Sequence, residues 1–377
     1  MQRKEPLKEI LTANRALWDH DGVRPSVRFN FNKVLMCRTE ALGAEVYASS
    51  AEQKIVPHTC KSRACPSCGH RASTLWQRQM WAALPDVPFA GVVFTMPDVL
   101  WPIFQRSRHL SDDLPALGAA VIREWAKDAN RLCPMILVVR HTFGRHLNFN
   151  PHLHILVSAG GLRFGSEVWS SGLRFDKTAL MKRWCFAFIT CLREALRRGI
   201  LQSDLAPQAM RTMLTTQYER WWNINLQPCA SKDHFIRYAG RYVRRPPLAQ
   251  YRITEHSSEK VCFRTKDHKL KKEVITEHSA QTFIDLLADQ IPSHYKHGIR
   301  HFGLLSLRSR GRTFGSVFAQ LGQPRRPKPR HLSWAMSIER DFVHNPRMDS
   351  TGELMKRIAR RPPAPILPTP LQEFDYP

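Results

Sequence analysis

The chain of 377 residues carries 57 Lys and Arg against 32 Asp and Glu, a formal charge of +25 that points to a polyanionic partner. With 43% hydrophobic and 10% aromatic residues it has the material for one or two cores, which excludes a globally disordered chain. No apolar run approaches the roughly 18 residues that a membrane-spanning helix needs, and the charged opening Gln2-Arg3-Lys4-Glu5 is unlike a signal peptide, so a soluble, cytoplasmic protein without a membrane partner is expected.

Four of the nine cysteines lie between Cys37 and Cys68. Cys60, Cys65 and Cys68 form C-x4-C-x2-C within HTCKSRACPSCGHR, a spacing that wraps sulfurs around one tetrahedral Zn²⁺. Cys37 is the candidate fourth ligand, with His58 and His70 as rivals. Zinc would fold a segment with little apolar core and leave Lys61, Arg63 and Arg71 around the knuckle to meet phosphate. A redox dithiol at Cys65-Pro66-Ser67-Cys68 lacks a surrounding βαβ pattern, and the other five cysteines sit singly, as small hydrophobes do.

Residues 89–96 (FAGVVFTM) read as a strand stopped by Pro97, and 117–132 as a helix. Strands are expected at 135–140 and 152–158, separated by the turn residues Gly144, Asn148 and Asn150. Residues 180–198 have apolar side chains at helical spacing, and 251–276 look like short antiparallel strands. Past Gly303 the composition turns basic and rich in Gly or Pro (308–312, 324–330, 360–370), which reads as linkers and an extended tail. Strands and helices alternate too irregularly for a doubly wound sheet. An α+β fold is expected, with helices on one face of a mainly antiparallel sheet. Three parts follow: a zinc-binding DNA-recognition region at 1–80, a catalytic domain at 81–300 and a basic, Pro-rich extension at 301–377.

Two segments carry chemistry. In Pro151-His152-Leu153-His154 the two-residue period of a strand sends both histidines to one face, with Cα atoms about 6.6 Å apart, so two imidazoles are able to share a metal. A polar strand face is the plainer reading of that pair alone. Residues 231–245 (SKDHFIRYAGRYVRR) read as a helix capped by Ser231 and stopped by Pro246-Pro247, which stacks Tyr238 and Tyr242 at i and i+4. A phenol is a poor nucleophile unless a metal polarises the phosphate or a base takes its proton; Arg237, Arg241, Arg244 and Arg245 stand ready to neutralise phosphate charge. Tyr218, Trp221 and Trp222 are explained more simply by core packing than by base stacking, and the basic run 325–330 fits a solvated linker or a phosphate-tracking arm.

The knuckle HTCKSRACPSC, the strand VVFTMP at 92–97, NPHLHILV and YAGRYVRRPP occur in the order found in HUH endonucleases (His, bulky hydrophobic, His) of the two-tyrosine form. Over most of its length the chain resembles the rolling-circle transposases of bacterial insertion sequences, the insertion-sequence family ninety-one, with helitrons as more distant relatives. The resemblance implies an HUH-like antiparallel sheet behind a small zinc-knuckle domain and a catalytic Mg²⁺ or Mn²⁺ on His152 and His154. It also implies a structural Zn²⁺ on Cys37, Cys60, Cys65 and Cys68. Tyr238 and Tyr242 would attack DNA phosphates in successive strand transfers, each leaving a 5′-phosphotyrosine and a free 3′-OH. The implied partners are single-stranded or hairpin DNA ends of the chain's own element and target DNA, with a homo-oligomer left open. Arg237, Arg241, Arg244, Arg245, Lys61 and Arg63 are the DNA-binding candidates. Relatives often carry further Cys pairs, but 45–57 and 345–355 hold none, so a single zinc is expected. The third ligand of the catalytic metal stays open among His141, His146 and a carboxylate. The rival readings are a plasmid or phage replication initiator or relaxase with the same chemistry, and a non-catalytic zinc-dependent nucleic-acid-binding regulator.

Overall fold

Proline opens the first helices, where its missing N–H costs no hydrogen bond. Pro6, Pro25 and Pro66 begin α1 (Pro6–Ala13), α2 (Pro25–Leu35) and α3 (Pro66–Ala83), and a hairpin of β1 (Ala44–Ala48) and β2 (Gln53–Pro57) lies between the last two. The computed structural model describes residues 5–364 apart from 63, 145, 244, 245, 267–271 and 295. Arg63, Arg244, Arg245 and the tail from 365 onward lie outside the described residues.

The centre is one six-stranded antiparallel sheet. β3 (Phe89–Phe94) leads through α4 (Trp101–Arg106) and α5 (Leu110–Asn130) to the long strands β4 (Leu132–Phe143) and β5 (Phe149–Arg163). After them come β6 (Trp169–Ser171), α6 (Lys177–Arg197), α7 (Pro207–Thr216), β7 (Ile224–Ala230) and α8 (Lys232–Val243). A three-stranded sheet of β8 (Ile253–His256), β9 (Lys260–Lys266) and β10 (Glu273–Ser279) precedes α9 (Ala280–Asp289). The chain then returns through β11 (Ile299–Gly303), α10 (Leu307–Gln320), α11 (Trp334–Phe342) and β12 (Lys356–Arg361). The central order is β11-β4-β5-β3-β7, with β6 also paired to β5.

Helices, expected on one face of the sheet, cover both. The reason lies in β4 and β5, whose alternate side chains are apolar on each side. Ile136, Val138, Leu153, Ile155 and Val157 pack with α5 and α6. Met135, Leu137, Val139 and Leu156 pack with Phe235, Ile236, Ala239 and Val243 of α8 and with Phe314, Val317 and Phe318 of α10.

The C-terminal part is not an extended tail over its described length. Residues 308–312 lie inside α10, whose N-cap Ser306 accepts from the Ser309 N–H and whose Phe314, Val317 and Phe318 are buried. Three apolar positions among Arg308, Arg310, Arg312, Gly311 and Gly315 make a faint helical period, which is why the composition resembled a linker. β12 has no buried side chain and forms by backbone pairing with β1, from Ala44↔Arg361 to Ala48↔Lys356, with Arg357 and Arg360 facing Glu45. A third core joins the N-terminal helices to later chain: Leu7, Leu11, Trp18 and Phe31 pack with Val261, Phe263, Phe283 and Leu287. Among the described residues, no helix is long and apolar enough to cross a membrane.

Candidate active site and metal centres

Cys37 follows α2, Cys60 follows β2, and Cys65 and Cys68 sit at the start of α3. The fold gathers all four sulfurs within 4.8 Å of one another. Cys37 and Cys60 lie 3.7 Å from Cys68, and Cys65 lies 3.6 Å from Cys37. Sulfurs placed about 2.3 Å from zinc in a tetrahedron stand about 3.8 Å apart, so the donor set fits a closed structural site. The Cys60 N–H points to the Cys37 sulfur and the Ser62 N–H to the Cys60 sulfur, each at 3.4 Å, which stabilises thiolate. Contacts from Cys37 and its neighbours hold the Cys68 thiol far below the ordinary range; the same crowding and burial push Cys60 and Cys65 far above it. Four thiols this close cannot all ionise against each other, and a divalent cation removes the conflict. The rival ligands are spent elsewhere. His58 is engaged by the Leu42 carbonyl and Glu45, and His70 is exposed beside Asp341.

The second cluster sits where β4 and β5 pair. His141 is directly opposite His152, and His154 follows on the same face of β5. These three imidazoles also have ligand nitrogens within 4.8 Å of one another, while His146 is exposed and contacts Thr276. The neighbours assign protons. His152 donates Nδ1–H to the Asn150 carbonyl at 2.7 Å, leaving its Nε2 lone pair 3.1 Å from His154 Nε2. His141 donates Nε2–H to the Tyr242 carbonyl at 2.7 Å, so its lone pair is on Nδ1. Donor atoms at right angles about 2.1 Å from a cation stand about 3.0 Å apart, so His152 and His154 fit a shared divalent ion. Burial pushes both pKa values down, that of His154 to about 2 with help from His141 and His152, which keeps the rings neutral and their lone pairs ready for metal.

α8 brings the tyrosines to this cluster. Its N-terminus is capped by Ser231, whose Oγ accepts from the His234 N–H at 3.3 Å, and Phe235, Ile236, Ala239 and Val243 anchor the helix to the sheet. Tyr238 and Tyr242, one turn apart, have ring centroids 4.9 Å apart. Tyr242 stacks on His154 at 4.1 Å, and the Tyr238 hydroxyl lies 3.4 Å from His154 Nδ1. Tyr238 is only 8% exposed. Burial and the neighbouring Tyr242 push its pKa up to about 12, against which Gln227 and Arg241 act. Gln227 on β7 is a residue that sequence reasoning missed, since nothing in INLQPCA marks it as facing a tyrosine across the sheet.

Residues 10–96 match the family model described as "Transposase zinc-binding domain", and residues 136–313 match that described as "Putative transposase". The transposase for insertion sequence element IS801 of Pseudomonas savastanoi pv. phaseolicola is 32% identical to this chain over 334 residues, covering 84% of the chain and 80% of the relative. The chain belongs to the IS91 family of transposases. "Putative transposase y4qJ" of Sinorhizobium fredii is 28% identical over 308 residues, 77% of each chain. No solved structure matches the transposase. Membership makes the chain a DNA-cleaving, strand-transferring enzyme, and the zinc-binding match together with the four-cysteine cluster supports a structural Zn²⁺.

The basic candidates of the transposase are dispersed. Arg241 lies 5.1 Å over the Tyr238 ring. Arg237 points away from the sheet into a cleft of about 650 Å³ shared with Trp81 and Arg326. Lys61 is exposed at the knuckle. Arg71 is not available to phosphate, because it donates to the Leu332 carbonyl and Ser337 Oγ. In the run 325–330, Arg326 pairs with Asp86 and stacks 4.6 Å over Trp81, so that part is docked rather than a loose linker. The aromatic trio divides: Trp222 is in the core at 1% exposure, whereas Tyr218 and Trp221 are 39% and 60% exposed.

Proposed function

We propose that this transposase cleaves and rejoins single-stranded DNA in rolling-circle transposition, with Tyr238 and Tyr242 as nucleophiles. His152, His154 and His141 would hold the catalytic divalent cation, Mg²⁺ or Mn²⁺. The supporting observation is the line from His152 Nε2 through His154 to the Tyr238 hydroxyl, with separations of 3.1 and 3.4 Å. When bound, a divalent cation supplies Lewis-acid polarisation of the scissile phosphate. The chain's own residues do the rest. His154 would hold the cation through Nε2 while its Nδ1 lies 3.4 Å from the Tyr238 oxygen, so one rigid imidazole would orient the nucleophile. Arg241 offsets the negative charge that forms as Tyr238 loses its proton. The phenol gives its proton to solvent as its oxygen bonds to phosphorus, the P–O3′ bond breaks, and the departing 3′ oxygen takes up a proton from solvent, so that protons balance. The energy of the broken ester is kept in a 5′-phosphotyrosine. The second tyrosine opens another strand, and a free 3′-OH resolves the first linkage. An all-imidazole donor set favours Mn²⁺ over Mg²⁺, which prefers oxygen ligands.

The test is to incubate the protein with Mn²⁺ and labelled single-stranded element ends, then map DNA-linked peptides by mass spectrometry. Adducts are expected on Tyr238 and Tyr242. Either single Phe substitution should leave partial cleavage or block only joining, while the double substitution should abolish adducts. Adducts that persist in the double variant, or that form equally well in excess EDTA, would refute the mechanism.

A further inference from the structure

Trp221 is set out in solvent by a braced loop. On one side Trp222 is sunk in the core and donates its indole N–H to the Gln217 carbonyl at 3.0 Å. On the other, the Asn223 carbonyl accepts from Thr95 Oγ1 at 2.6 Å, and the Thr95 carbonyl accepts from the buried Trp184 indole at 2.7 Å. An indole held out by a tied backbone pays little ordering entropy on binding, which is the property of a preformed aromatic contact. The loop borders a cleft of about 420 Å³ with Pro97, Trp101, Asn150, Arg220 and Asn223. The cleft adjoins the histidine cluster. Asn150 stands two residues before His152, at an irregularity in the β4–β5 pairing, and its carbonyl holds His152 Nδ1.

From these observations we infer that Trp221 is a stacking platform for one unpaired base of the DNA strand whose phosphate lies at the histidines. The cleft supplies the aromatic face for stacking, Arg220 for backbone charge, and the amides of Asn150 and Asn223 for a base edge. A duplex cannot offer that base, because its faces are already stacked. The inference deepens the proposed strand cleavage and rests on it.

The experiment compares wild-type protein, Trp221→Ala and Trp221→Phe, all full length and without added divalent ion, for binding to a single-stranded oligonucleotide containing fluorescent aminopurine and to its duplex. The exposed position leaves folding intact, which melting curves verify. The Ala variant should bind the single strand about five- to a hundredfold more weakly and lose aminopurine quenching. Phe should retain most of both, and duplex affinity should be unchanged. An Ala variant that matches wild type, or that loses single-strand and duplex affinity alike, overturns the inference. Wild-type adducts together with that failure would sink only the platform. Absence of wild-type adducts together with Trp221-dependent single-strand binding would sink the chemistry and leave the platform standing.

Discussion

His141 and Cys65 each join two tasks in one residue. His141 belongs to the three-imidazole cluster while its Nε2–H grips the Tyr242 carbonyl, so the cluster and the tyrosine helix are tied by one ring. His141→Ala should therefore lower divalent-metal affinity at least about tenfold and reduce adduct formation, with single-strand binding largely kept. Titration calorimetry with Mn²⁺ measures the first, and an unchanged isotherm would remove His141 from the site. Cys65 is both a sulfur of the four-thiol cluster and the N-cap residue of α3. Purified protein should carry near one equivalent of zinc. Cys65→Ser should lose it and open the N-terminal region to protease before the central sheet. Metal-free protein that is folded and active would contradict the assignment.

Among the elements, α3 links the two clusters. It starts at the cysteines, buries Met80 against the sheet core, and crosses α8 where Gly240 leaves room for Gln77. A Cβ at Gly240 would stand 2.0 Å from Gln77 Nε2, so the close crossing depends on that glycine. The knuckle and the helix that carries the tyrosines are thus joined through one helix. α10 supports the same layer from the C-terminal side. Phe314→Ala, at a fully buried ring, should cost about 3–5 kcal/mol of stability, read from denaturant unfolding. β12 gives a cleaner test of long-range closure. Truncation after Met355 should speed hydrogen exchange in β1 and β2 but not in β4 or β5, whereas truncation after Ala364 should not, because it keeps the Ala44↔Arg361 pairing. Equal exchange in the two truncations would mean that β12 adds nothing to the hairpin.

For the whole molecule, a net charge of +25 should make phosphate contacts the main source of DNA affinity. Plotted against the logarithm of salt concentration, the logarithm of single-strand affinity should fall with a slope of about −0.7 per phosphate neutralised. Removing Arg241 should reduce that slope, while Arg326→Ala should not, since Arg326 already answers Asp86 and Trp81. Filter binding over a salt series separates the two, and an equal slope change would mean that Arg326 leaves its dock to meet DNA.

The amino-acid sequence determined whatever depends on local spacing. Three cysteines in a short loop must lie near one another, a period of two puts His152 and His154 on one face, and a turn of helix stacks Tyr238 over Tyr242. The antiparallel character of the sheet was legible for the same reason, through strand runs bounded by Gly, Asn and Pro. Tertiary structure decided what depends on partners distant in the chain. Pairing of β4 with β5 placed His141, and not the exposed His146, beside His152 and His154, and closure of β2 onto the end of α2 placed Cys37 beside Cys60, Cys65 and Cys68. Folding alone separated Trp221 from Trp222, adjacent residues of one type that differ in whether the core or the solvent receives them. It also turned a basic C-terminal stretch into α10 and β12. Their pairing energy resides in backbone hydrogen bonds and in a surface supplied by residues hundreds of positions away, which no local pattern records.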